Sequence, residues 1–158
     1  MTKSAKPLIL VTNDDGVTAP GIRTLIRIMN SLGDVVVVAP DSPQSGMGHA
    51  ITIHDTLRCS PLVHDAGPQT EYACTGTPVD CVKLAVHEIL GRSPDLIVSG
   101  INHGSNASVN VIYSGTMSAA VEGAMQKVPS IGFSLLDYSC ICWAAIFMFK
   151  VCRDVAPV

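Results

Sequence analysis

The sequence predicts an α/β fold with a mainly parallel sheet, because short unbroken apolar runs alternate with stretches of helical periodicity and end in polar loops. Composition agrees: hydrophobic residues make up 47% of the chain and charged residues only 15%, so much of the sheet must be buried on both faces. At 158 residues the chain has the length of one ordinary domain, and 1–158 is read as a single unit.

The first apolar run, Leu8 to Val11, stops at Thr12-Asn13-Asp14-Asp15-Gly16, as a buried strand stops at a loop. Pro20-Gly21 then opens a helix in which Ile22, Leu25, Ile26, Met29 and Leu32 recur at three and four residues, with Gly33 as its stop. Val35 to Ala39 is the second strand, ending in Pro40-Asp41-Ser42-Pro43. From Ile51 to Thr75 the pattern is weaker: Ile51 to His54 alternates like a strand, Pro61 to Thr70 reads as a loop, and the whole is expected to form a peripheral hairpin or excursion. Thr77 can cap a second helix, with Pro78 at its first position, Asp80 near its positive end, Val79, Val82, Val86 and Ile89 on one face, and Gly91 ending it. Leu96 to Val98 is the third strand, ending in Ser99-Gly100-Ile101-Asn102. A third helix is expected from about Thr116 to Lys127, its Ala119, Ala120, Gly123 and Ala124 small enough to approach the sheet closely. Ile131 to Phe133 is the fourth strand, and Ala144 to Phe149 is unusually apolar for a closing surface helix. In a parallel sheet with right-handed crossovers, the loops after the first three strands share one edge, and ligands bind beyond it.

A net charge of -3 and scattered basic residues argue against binding duplex nucleic acid, which requires clustered Lys and Arg. An anionic substrate must then be held by backbone N–H groups or by a metal. The six cysteines form no C-x-x-C pair, and they are expected to be reduced, buried and in a cytoplasmic protein. The apolar run Cys140 to Phe149 is half of the roughly 20 residues that span a bilayer, so no membrane helix is expected.

Four polar segments on the ligand edge carry the chemistry. Adjacent carboxylates at Asp14 and Asp15 repel each other unless a cation or donors lie between them, which suits a hard oxygen-liganded metal, although Asn-Asp-Asp-Gly also suits an exposed turn. Ser42-Pro43-Gln44-Ser45-Gly46-Met47-Gly48-His49 offers hydroxyls for a metal and glycines that let backbone N–H groups approach a phosphate. It lacks the lysine and spacing of a P-loop. After the third strand, Asn102 offers a neutral carbonyl ligand, and His103 is either a solvated loop histidine or a general acid or base. Tyr113-Ser114-Gly115-Thr116 opens the third helix, where unpaired N–H groups favour a phosphate. Gly76-Thr77-Pro78 allows the same reading at the second. Together these segments supply a dicarboxylate, an amide, hydroxyls and anion-binding backbone: a metal-phosphate site.

The same segments resemble the stationary-phase survival protein SurE family. The likeness is carried by Leu10-Val11-Thr12-Asn13-Asp14-Asp15-Gly16, Val38-Ala39-Pro40, Gly48-His49-Ala50-Ile51-Thr52, Gly76-Thr77-Pro78-Val79-Asp80-Cys81-Val82-Lys83-Leu84, Val98-Ser99-Gly100-Ile101-Asn102-His103-Gly104 and Tyr113-Ser114-Gly115-Thr116-Met117-Ser118-Ala119-Ala120, in order from about Leu8 to Ser139. The resemblance implies a Rossmann-like three-layer phosphatase, a 5'-nucleotidase that uses one divalent ion such as magnesium or manganese and assembles as dimers or tetramers. It maps the metal ligands onto Asp14, Asp15, Ser45 and Asn102, and it alone selects Ser45 over Ser42. Asp14 and Asp15 are then the candidate catalytic residues, since either can also orient the attacking water, and Gly46, Asn106, Ser114, Gly115 and Thr116 are the candidate phosphate contacts. Members of this family continue well beyond the length of this chain, so its C-terminal part reads as truncated.

Two other functions compete with hydrolysis. One is a nucleotide- or phosphate-binding fragment of the same fold without turnover. The other is a dinucleotide-dependent oxidoreductase, but no G-x-G-x-x-G follows the first strand, and Asp14-Asp15 in that turn would repel a pyrophosphate.

Overall fold

The structure, a computed structural model, describes residues 6–106 and 109–135 and the backbone of 146–151. Strands β1 (Leu8–Thr12), β2 (Asp34–Pro40), β3 (Cys59–Leu62), β4 (Thr70–Cys74), β5 (Leu96–His103), β6 (Ser130–Leu135) and β7 (Ile146–Val151) form one sheet in the order β3-β4-β2-β1-β5-β6-β7. The inner pairs are parallel, and β3 and β7 lie antiparallel on the two edges. The helices are α1 (Pro20–Met29), α2 (Pro78–Leu84) with a π-helical turn at Ala85–Ile89, a single turn α3 (Asn110–Tyr113), and α4 (Gly115–Met125).

Strand pleating divides the apolar runs between two cores. Ile9, Val11, Val35, Val37 and Val98 face α1, where they meet Ile22, Leu25, Ile26 and Met29. Leu10, Val38 and Ile97 face the opposite way and pack with Cys81, Val82 and Ala119 of α2 and α4. Each large aliphatic side chain buried this way contributes about 1.5–3 kcal/mol, and helices on both faces give the three layers.

Several boundaries differ from the sequence expectation. Leu32 is 57% exposed and lies beyond α1. Thr77 caps α2 as expected: its hydroxyl accepts from Asp80 N–H, and the Asp80 carboxylate accepts from Thr77 N–H. α4 begins at Gly115 rather than Thr116, with Ser114 as its cap. Ile51 to His54 forms no strand, whereas the stretch read as a loop from Pro61 to Thr70 is bracketed by β3 and β4; its expectation as a peripheral hairpin holds. The apolar C-terminal segment read as helical supplies the strand β7 instead, while 136–145 lie outside the described residues.

β5 runs five residues past the expected Val98, with a shift of register between Ser99 and Asn102. Gly100 makes that irregularity possible, since it has φ +124° and a Cβ there would stand 2.5 Å from the Phe133 carbonyl oxygen.

The expectation of reduced cysteines fails for two of them. Cys59 and Cys74 stand directly opposite in the β3–β4 ladder with Cα atoms 4.2 Å apart, and they form a disulfide. A spacing rule in one dimension could not show this contact. Cys81 is a buried free thiol, pushed upward in pKa by burial and then by the charges of Asp80 and Asp41.

Candidate metal and phosphate site

The carboxyl ends of β1, β2 and β5 converge at one place on the sheet edge. Asp14 is 4% exposed there, although it is a carboxylate. Two elements, α4 and the loop after β2, touch it. Thr116 on α4 donates its hydroxyl to Asp14 Oδ1. Gln44 N–H, in the loop after β2, donates to the Asp14 carbonyl at 2.7 Å. Gly115 lies against its side chain so closely that an added Cβ would be 2.7 Å from Asp14 Cβ and 3.1 Å from Oδ2. Glycine at this position therefore lets the N-terminus of α4 approach the carboxylate.

Asp15 is half-buried beside Asp14 and takes a hydrogen bond from the His103 backbone at the end of β5. Its pKa is raised, first by burial and then by the neighbouring Asp14 charge, against the opposing pull of that hydrogen bond and of the His103 side chain. A carboxyl group in this position is better ionised when a cation is near.

The structure therefore brings Asp14, Asp15 and the stems of both ligand-bearing loops together. Asn102, adjacent to His103, donates its amide nitrogen to the Gly104 carbonyl at 3.1 Å, which leaves the side-chain oxygen as the atom suited to a metal. Ser45 follows Gln44 in an exposed turn. Among the described residues no three His, Cys, Asp or Glu side chains converge as a metal cluster. The donor set expected from the sequence, two carboxylates with a neutral amide oxygen and a hydroxyl, is of the chemistry that suits a hard divalent cation of the magnesium or manganese type and would suit zinc poorly.

The expected phosphate contacts divide into two groups. Ser114 is 6% exposed, and its hydroxyl accepts from Met117 N–H as the helix cap. The Thr116 hydroxyl is committed to Asp14, and the Asn106 amide nitrogen donates to Ser134 Oγ at 2.8 Å. These side chains shape the site from behind. The backbone N–H groups of Gly115 and Thr116 belong to the first turn of α4, which a helix cannot satisfy internally, and they are the better anion donors. Gly46 has φ +76° and open space around it, so its backbone is accessible.

Sequence reasoning missed the buried polar floor beneath these groups. Thr12 Oγ1, Asn13 Oδ1 and Ser99 Oγ have no hydrogen-bond partner, and Thr12 and Ser99 are paired neighbours on β1 and β5. Polar residues ending two adjacent buried strands were the available signal.

A family model described as Survival protein SurE matches residues 9–157. A Christiangramia forsetii protein named 5'-nucleotidase SurE is 71% identical over 135 residues, which cover 85% of this chain and 52% of that protein. A Chlorobaculum tepidum protein of the same name is 48% identical over 156 residues, 98% of this chain and 59% of the relative. The crystal structure of the SurE protein from Aquifex aeolicus matches with a TM-score of 0.74 and 42% identity, covering 84% of this chain and 52% of that one. The chain spans about half the length of the curated relatives it matches. With nearly its whole length matched and the likeness extending to the fold, this chain belongs to the survival protein SurE family.

Proposed function

We propose that this chain hydrolyses nucleoside 5'-monophosphates to nucleoside and inorganic phosphate, with one divalent ion held by Asp14, Asp15, Ser45 and Asn102. The observation that carries the reading is the pair of crowded carboxylates at the end of the central strand, set against the N-terminus of α4. The relatives' name, 5'-nucleotidase SurE, supplies the substrate class.

Asp14, Asp15, Ser45 and Asn102 would hold the ion, which would supply polarisation of the phosphoryl group and a more acidic water. The protein's own groups do the positioning. Thr116 fixes the rotamer of Asp14, and the His103 backbone fixes Asp15, so that the remaining carboxylate oxygens can orient a water for in-line attack. The N–H groups of Gly115 and Thr116, with the open backbone at Gly46, hold the phosphate oxygens as charge develops on them.

A second reading is a fragment that binds phosphate without turnover; the chain spans 52% of the length of the Christiangramia forsetii relative. Phosphate release from a panel of nucleoside monophosphates and p-nitrophenyl phosphate, with manganese, with magnesium and with EDTA, separates the two. Hydrolysis requires metal-dependent release that favours the nucleotides. Binding of phosphate by a folded sample without any release would establish the fragment.

A further inference from the structure

Glu122 lies in the middle of α4 among small residues and is only 3% exposed. Three nitrogen donors from three elements converge on its carboxylate. Gln126 Nε2, one turn on, is 2.9 Å from Oε1, Lys83 Nζ of α2 is 3.3 Å from Oε1, and His49 Nε2 is 3.1 Å from Oε2. A buried carboxylate is strongly unfavourable without such partners. Lys83 and Gln126 belong to helices that already pack against each other. His49 alone comes from the loop after β2, four residues beyond Ser45.

Neighbouring contacts tie the same loop down on either side of His49. The Thr77 hydroxyl donates to the Ala50 carbonyl at 2.7 Å, and the Thr52 hydroxyl donates to Asp80 Oδ2 at 2.7 Å. Upstream, Gln44 N–H is fixed on Asp14, and Gly48 N–H donates to the Tyr113 carbonyl at 3.1 Å. Ser45, Gly46 and Met47 are thus a short exposed span between anchored posts.

We infer that Glu122, acting through His49, is a positioning residue that sets Ser45 relative to Asp14 and so prepares the loop for the divalent ion. The inference rests on the proposed role of Ser45. Loss of a group that orients a metal ligand typically costs 10–100-fold in affinity.

The test is Mn2+ binding to the purified chain by titration calorimetry, with circular dichroism confirming the fold of each variant. His49→Ala and Glu122→Gln should each weaken Mn2+ binding about tenfold, and the double variant should be no weaker than the poorer single one, because both break one link. Lys83→Met removes a partner of Glu122 that has no connection to the loop, and it should stay within about twofold of the parent chain. Parent-like affinity in His49→Ala, while Asp14→Ala abolishes binding, would overturn the inference and leave the metal reading standing. Equal weakening by Lys83→Met and His49→Ala would overturn it too, by showing general damage to the helix pair. Failure of the parent chain to bind Mn2+ would remove the metal reading and this inference together.

Discussion

The centre of the sheet's carboxyl edge and the outer β3–β4 edge are both rich in polar groups, yet they are held together in opposite ways. At the outer edge opposite charges meet: Arg23 donates to Glu71 at 2.7 Å with both side chains buried, Gln69 donates to Glu71, and Cys59 is bonded to Cys74, although Arg23 Nε and Asn30 Oδ1 keep no partner. At the centre, like charges adjoin at Asp14 and Asp15, and the buried Thr12, Asn13 and Ser99 each keep an unpartnered oxygen. The outer edge is arranged for stability. The centre sets like charges side by side, as expected where a cation completes the structure.

The sharpest way to break this comparison is Asp14→Ala. Phosphate release with manganese should fall by on the order of a thousandfold, the upper range for removing one preorganised electrostatic group, and steady-state assays would measure it. A loss below about tenfold would mean that the centre is not the reacting site.

Reduction of the Cys59–Cys74 bond should act on the other region. Its cysteines are 15 residues apart, and a loop of that length implies a loss of up to about 3 kcal/mol in unfolding free energy. Urea titration with and without reductant measures this. Phosphate release by the folded, reduced chain should be unchanged, because the bond lies outside the convergence of β1, β2 and β5.

Gly115→Ala sharpens the boundary between packing and function. Its Cβ would collide with Asp14, so a cost of about 1–3 kcal/mol in stability should accompany a loss of activity. An alanine variant with normal turnover would show that the α4 N-terminus need not approach the carboxylate.

The smallest effect concerns Asp15. Its folded pKa is raised, so its ionisation opposes folding. In EDTA, stability should be full below the ordinary carboxylate range and decline as pH rises through the raised folded value. Asp15→Asn should remove that decline in thermal melts and raise the melting temperature at neutral pH, while lowering phosphate release.

Much of the fold was legible because burial on both faces writes itself as unbroken apolar runs. Leu8 to Val11, Val35 to Ala39 and Ile131 to Phe133 all lie within strands. The Thr77 cap was equally local, since Thr, Pro and Asp at fixed offsets state where a helix starts. The β3–β4 hairpin was less legible. Ser60 and Pro61 of the edge strand β3 and Thr70 of β4 are exposed and lie outside any apolar run; β3 pairs with β4, and β4 in turn with the distant β2. The same limit applies within the site. Asp14, Asp15 and Asn102 announced themselves by residue type at strand ends, but the commitment of Thr116 to Asp14 spans 102 residues. The meeting of His49, Lys83 and Glu122 likewise depends on how two helices pack, which no periodicity in either helix encodes.

One measurement bears most directly on the reading of the central edge: phosphate release from adenosine 5'-monophosphate by the 158-residue chain with Mn2+, before and after EDTA. Release that EDTA abolishes and renewed Mn2+ restores is the expected result. Release that continues undiminished in EDTA would contradict a metal held by Asp14, Asp15, Ser45 and Asn102.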